Sequence, residues 1–193
     1  MIGAARDCEA ITSGILGQPV NAVSTIVFLV VGFWVMRQGS QARWIGIALI
    51  ATGLGSFLFH GPMPPGNEWA HDVSLAWLLA VIAGYGTRWE NWSRVPTALI
   101  LAVLTFLVPA VADPLAVVLS ILAVGSVLWR DRAWATIGPL LVAVLAGIYG
   151  RLGATGGPLC DPSSLWQPHA VWHIAAAVAV GWLAGSFNPL NAL

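Results

Sequence analysis

Trp44-Ile45-Gly46-Ile47-Ala48-Leu49-Ile50-Ala51-Thr52-Gly53-Leu54-Gly55-Ser56-Phe57-Leu58-Phe59-His60 is an uninterrupted apolar run that closes on a histidine. Runs of roughly 16 to 20 apolar residues are long enough to cross ~30 Å of hydrocarbon as helices. Seven such runs are predicted: Asn21 to Gln38, Trp44 to His60, Asp72 to Thr87, Val95 to Val111, Pro114 to Trp129, Trp134 to Gly150, and His169 to Phe187. The fourth and fifth are separated only by Ala112-Asp113-Pro114, and Asp-Pro is the expected break, because one helix from Val95 to Trp129 would overshoot the bilayer. With 193 residues, 58% of them hydrophobic and 8% charged, and a mean hydropathy of +0.82, the chain is too apolar for a soluble domain. The expectation is an all-α integral membrane protein, a single seven-helix transmembrane bundle covering residues 1–193.

All eight basic residues are arginines. Arg37, Arg43, Arg88, Arg94, Arg130 and Arg132 fall in the loops after the first, third and fifth runs, whereas Arg6 and Arg151 share the side of the N-terminus. The positive-inside rule then places the N-terminus outside and the C-terminus in the cytoplasm. The acids lean the other way but carry little topological weight. Trp44, Trp69, Trp89, Trp92, Trp129, Trp134 and Trp166 sit near segment ends, where amphipathic rings favour the interface. The first twenty residues lack a basic stretch followed by a long apolar core, so no cleavable signal peptide is expected. No basic tract, repeat or long linker stands out, and nothing points to nucleic acid as a partner. The oligomeric state is not readable.

His60, His169 and His173 lie at the ends of apolar runs, where ionisable groups are expensive and are kept for function. On the predicted topology the second run ends outside with Ser56 and His60, the third begins outside with Asp72, and the seventh begins outside with His169 and His173. Residues scattered at random would be split between the two faces. His169 and His173 are four apart and project from one helix face, as do Ser56 and His60. A lone histidine at a helix end is more often a hydrogen-bonded interface residue, but three in a compatible pattern with a flanking acid read as zinc ligands. Three protein ligands leave a tetrahedral Zn2+ one open position for water, which is the catalytic arrangement.

Bound zinc lowers the pKa of such a water toward about 7 and polarises a carbonyl. Asp72 is the expected base for that water, and Ser56 the donor to the carbonyl oxygen as charge develops. Asp72 can alternatively cap the third helix, and Ser56 can bond back to its own. His71, about 100° around the helix from Asp72, reads as an outer-shell or surface histidine. Gly53 and Gly55 allow a neighbouring helix or an acyl chain to come close, while Gly181 and Gly185 read as packing positions. Cys8 and Cys160 both precede runs on the outer face, and a disulfide or two free thiols are open to them. The depth of the ligands, within a turn or two of the outer interface, suits hydrolysis of a membrane lipid at its ester or amide bond.

Cys8-Glu9, Pro19-Val20-Asn21-Ala22-Val23-Ser24, Gly55-Ser56-Phe57-Leu58-Phe59-His60 followed by Asp72, and His169-Ala170-Val171-Trp172-His173 together resemble the alkaline ceramidase family. That family belongs to a superfamily of seven-helix membrane hydrolases that includes adiponectin-type receptors and Per1-type enzymes. The resemblance spans nearly the whole chain. It implies zinc held by His60, His169 and His173, amide hydrolysis assisted by Ser56 and Asp72, a Cys8 to Cys160 disulfide, and release of a fatty acid from an N-acyl lipid such as ceramide. The family's calcium stretch, Asp-Trp-x-Glu-x-Asn with a later Glu, reads here Arg6-Asp7-Cys8-Glu9-Ala10-Ile11 with Gln18 near the later position. Glu9 survives but most oxygen ligands do not, and Ca2+, which takes six or more oxygens, is not expected, although Asp7 and Glu9 remain open to a different cation. The short loops point to a bacterial member in the inner membrane, with its site on the periplasmic side and a substrate that need not be ceramide. Weighed against this reading are a lipid esterase on the same site and a receptor-like bundle whose zinc is closed by His71 or Asp72. A serine protease using Ser56 ranks lowest, because it leaves the two-histidine helix without a role.

Overall fold

A computed structural model describes residues 3–40, 42–130 and 134–186; Arg132 and the expected helix end at Phe187 lie outside the described residues. Every regular element among them is helical. We number the long helices α1 (Pro19–Met36), α2 (Arg43–His60), α3 (Asn67–Gly84), α4 (Val95–Leu107), α5 (Ala112–Arg130), α6 (Trp134–Leu152) and α7 (Pro168–Ser186). Among the described residues five stretches are long and apolar enough to cross a membrane: α1, α2, α6, α7, and α5 with the turn that precedes it. α3 matches α2 in length, but its first two turns carry Asn67, Glu68, His71 and Asp72, and α4 has only 13 residues.

Local chemistry explains the boundaries. α1 opens on Pro19, whose missing N–H costs nothing in a first turn, and the Glu9 carboxylate accepts the next two amides, Val20 N–H at 2.7 Å and Asn21 N–H at 2.8 Å. Glu9 is therefore committed to a helix terminus, and both of its oxygens are used there. α1 is interrupted at Thr25, whose hydroxyl bonds back to Ala22 O.

α3 starts at Asn67, five residues before the expected Asp72. Gly66, at φ +83°, turns the chain into it, so Asp72 lies in the second turn and is not a cap. The expected break at Asp113-Pro114 is also displaced. Val108 takes an extended conformation (φ −134°, ψ 75°) ahead of Pro109, a 3-10 turn runs over Pro109–Val111, and Asp113 and Pro114 sit inside the first turn of α5. The cause is steric: the residue before a proline is driven from the helical region, whereas a proline inside a first turn is tolerated.

The packed half of the bundle is α1, α2, α3 and α7, joined by α5 at the arginine-rich end. Glycines set the spacing. A Cβ on Gly46 would lie 2.6 Å from Gly32 O across the α1–α2 contact, one on Gly53 would meet Phe28, and one on Gly55 would lie 2.6 Å from Ala70 O of α3. Gly53 and Gly55 thus admit helices rather than an acyl chain. Gly181 lies against Val31 in the same way. Phe28, Val35, Ile45, Leu49, Val81 and Val127 fill the space between, each essentially excluded from solvent. α6 packs on α7 and α5 on α3, but α5 and α6 scarcely touch each other. At the far end Glu90 and Arg94 form a 2.6 Å ion pair and Arg130 donates to Ile82 O.

Candidate metal centre

The loop geometry brings the C-terminal turn of α2, the first turns of α3 and the first turns of α7 to one end of the bundle. The segment before α1 lies across them. Gln18 N–H donates to His60 O at 2.7 Å and Gly17 N–H to Gly61 O at 2.8 Å, which satisfies carbonyls that α2 leaves open at its end. Cys8 and Cys160 are joined, with Cα atoms 5.5 Å apart, tying this segment to the loop that leads into α7.

His60, His169 and His173 converge there. Their ring centroids are 4.9, 5.3 and 4.5 Å apart pairwise, and one nitrogen from each falls within 4.8 Å of the others. His60 and His173 are fully buried, and 17% of the His169 side chain is exposed. All three Nε2 atoms are buried without a hydrogen-bond partner. An unpartnered buried polar atom is costly, and three in one cluster suit a shared metal ion.

The opposite nitrogens are all engaged. His60 Nδ1 lies 2.7 Å from Gln18 Oε1, His173 Nδ1 lies 2.7 Å from Ser24 Oγ, and His169 Nδ1 lies 3.3 Å from Asp7 Oδ1. The direction of these bonds follows from their neighbours. Gln18 Nε2 already donates to Ala4 O and Glu9 O, so its oxygen accepts from His60 Nδ1–H. Ser24 Oγ donates to Asn21 O and accepts from His173 Nδ1–H. Each ring therefore carries its proton on Nδ1 and leaves the Nε2 lone pair free, the form in which imidazole binds a metal. The donor set fits a divalent ion that takes nitrogen ligands.

Ser56 is fully buried and its hydroxyl has no partner, so it does not bond back to its helix. Asp72 accepts from His71 Nδ1 at 2.9 Å, with 28% of its side chain exposed. His71 is not a surface residue: its side chain is 12% exposed and its ring stacks on Phe59 at 4.7 Å. The sequence analysis assigned no part to Asp7, Gln18 or Ser24 at the centre. Asp7 and Gln18 had only their place in the segment that Cys8 fastens down as a signal, and Ser24 its place in the Pro19–Ser24 stretch. Burial pushes the Asp7 carboxyl up to about 6, against the opposing pull of His71, Arg151 and Arg6.

A cavity of about 1130 Å³ runs down from the centre between α3, α5, α6 and α7. Asp7, His71, Asp72 and His169 line its polar head, while its deeper walls are apolar, including Leu75, Leu79, Val144, Ala176 and Val180. No protein-family model matches the chain, and no curated protein matches it either.

Proposed function

We propose that the chain is a zinc-dependent hydrolase embedded in the membrane that cleaves the amide bond of an N-acyl lipid, in the manner of the alkaline ceramidases it resembles. The observation that carries this reading is the set of three buried, unpartnered Nε2 atoms, one of them on His169, which lines the polar head of an otherwise apolar cavity. His60, His169 and His173 hold the ion, and their Nδ1 partners fix the ring orientations. Zinc bound there supplies an acidified water and a Lewis acid for the carbonyl.

Ser56 donates to the carbonyl oxygen as it gains charge, and the Asp72 carboxylate serves proton transfer. The apolar walls receive the acyl chain, and the loose contact of α5 with α6 is the way in from the bilayer. Among the described residues only the three histidines, and no fourth side chain, fall in one group within ligand distance, which favours an open, catalytic shell over a closed structural one.

In this reading α3 and α4 complete seven crossings. The polar first turns of α3, where Glu68 is exposed, sit at the outer interface, and α4, about 20 Å long, is extended by the Pro109–Val111 turn. Arg37, Arg43, Arg88, Arg94 and Arg130 mark the cytoplasmic end, and the centre faces outward, on the periplasmic side of a bacterial inner membrane, where a disulfide persists. Purified protein offered matched N-acyl and O-acyl lipids should contain about one zinc per chain and release fatty acid from the amide, with turnover lost in His173→Ala and Asp72→Ala. Preference for the ester makes it an esterase. Unchanged turnover in metal-free protein removes the proposal.

A further inference from the structure

His71 repeats, outside the metal cluster, the pattern of the three ligands: its Nδ1 is bonded and its Nε2 is buried without a partner. Its ring centroid stands 6.3 Å from that of His60, and it does not belong to the group whose nitrogens come within ligand distance of one another. It lines the same cavity head as Asp72 and His169. Adjacent residues on a helix point about 100° apart, yet the imidazole turns back on the Asp72 carboxylate at 2.9 Å and is held flat by Phe59. A carboxylate only accepts, so the neutral ring carries its proton on Nδ1 and presents a lone pair at Nε2. The protein offers that lone pair nothing. A histidine oriented by a carboxylate, with its far nitrogen free at the wall of a reaction cavity, is the geometry of a proton carrier.

Resting on the amidase reading above, we infer that His71 carries the proton of the reaction and that Asp72 acts through it as a positioning residue. The oxygen of the attacking water forms a bond to the carbonyl carbon while one of its protons passes to His71 Nε2. The C–N bond then breaks, its electron pair stays on nitrogen, and that nitrogen takes the proton from Nε2. The carboxylic acid and the amine leave, and His71 is neutral again, so no further reactant is required. The same ring serves as base and then as acid, which an amide needs because an unprotonated alkylamide anion is too poor a leaving group to depart.

The test is His71→Gln in the full-length, zinc-loaded protein, assayed on two substrates with one acyl chain: an N-alkyl amide and a 4-nitrophenyl ester, whose leaving group departs without a proton. The variant should keep its zinc content and melting temperature, lose about 100-fold or more in kcat on the amide, and lose at least about tenfold less on the ester, which needs the ring as base but not as acid. The second readout does not depend on turnover. In metal-free protein, nitrogen NMR of the histidines, with His71 assigned by its absence in the variant, should show the proton on Nδ1, and Asp72→Asn should move part of the population to Nε2–H. Equal losses on both substrates, full amidase activity in His71→Gln, a lost zinc ligand, or a wild-type His71 protonated on Nε2 would overturn the inference while leaving the amidase reading intact. A wild-type protein that binds zinc but cleaves no acyl amide ends both.

Discussion

α1, α2, α3 and α7 are drawn together through glycines and close on the histidine cluster, whereas α5 and α6 stand apart and leave the cavity between them. Over half of α2 (56%) is buried, against 17% for α6 and for the stretch containing α5, although the α5 stretch is the more apolar. In water that order would be inverted, because the most apolar helix belongs in the core; with lipid as the solvent the outer helices need no protein cover. The three histidines stand on the half that cannot shift without backbone collisions, and the loose half supplies the room. The proposed hydrolase, which needs fixed imidazoles and room for a bulky, variable guest, would be served by that division.

The comparison can be broken most sharply at the ligands. His60→Ala or His173→Ala removes one of three donors and should abolish stoichiometric zinc by elemental analysis while α5 and α6 stay folded. Next in size is the strap over the centre. Cys8→Ser closes no covalent loop across the 152 residues separating Cys8 from Cys160 and should lower stability by about 2–5 kcal/mol, read as a fall in melting temperature. Asp7→Asn keeps the shape beside His169 but removes the charge, and should weaken zinc by about 10- to 100-fold in chelator competition with the fold unchanged.

Glycine substitution then separates the two halves directly. Gly55→Ala forces a Cβ to 2.6 Å from Ala70 O and should cost about 1–3 kcal/mol. Gly125→Ala on α5 meets nothing within 4 Å and should be neutral or stabilise by up to about 1 kcal/mol. The smallest effect on stability is expected from Ala176→Phe in the cavity wall. It should leave the melting temperature nearly unchanged and, on the proposed function, shorten the acyl chain that is accepted.

The meeting of His60, His169 and His173 was legible in the sequence because the i, i+4 spacing of His169 and His173 and the polarity of a histidine in an apolar run are local facts, and the helix ends that carry them do meet. Five of the apolar runs reappear as helices that qualify as spans by length and composition, displaced by a few residues. The start of α3 was not legible: Asn67, Glu68 and His71 look like loop to a hydropathy reading, and only the polar end of the bundle makes them helix. Asp113-Pro114 misled because a proline that ends one helix and a proline that opens the next look alike without their backbone angles.

His71 was read as pointing away because helix geometry fixes the Cβ direction, whereas rotation about its side-chain bonds brings the ring back to Asp72. Asp7, Gln18 and Ser24 were beyond reach as partners for the three histidines, since they come from an irregular segment and the second turn of α1 and acquire their roles only when that segment crosses the site. Glu9, open to a cation in the sequence, proved to cap α1.

The claim on which the rest stands is that His60, His169 and His173 hold one metal ion with a vertex left open. Zinc-edge X-ray absorption on the purified wild-type protein reads that shell directly. The account predicts about one zinc per chain with three imidazole nitrogens at about 2.0–2.1 Å and a single light oxygen from solvent. A protein that carries no stoichiometric zinc, or whose zinc is closed by four side chains, contradicts it.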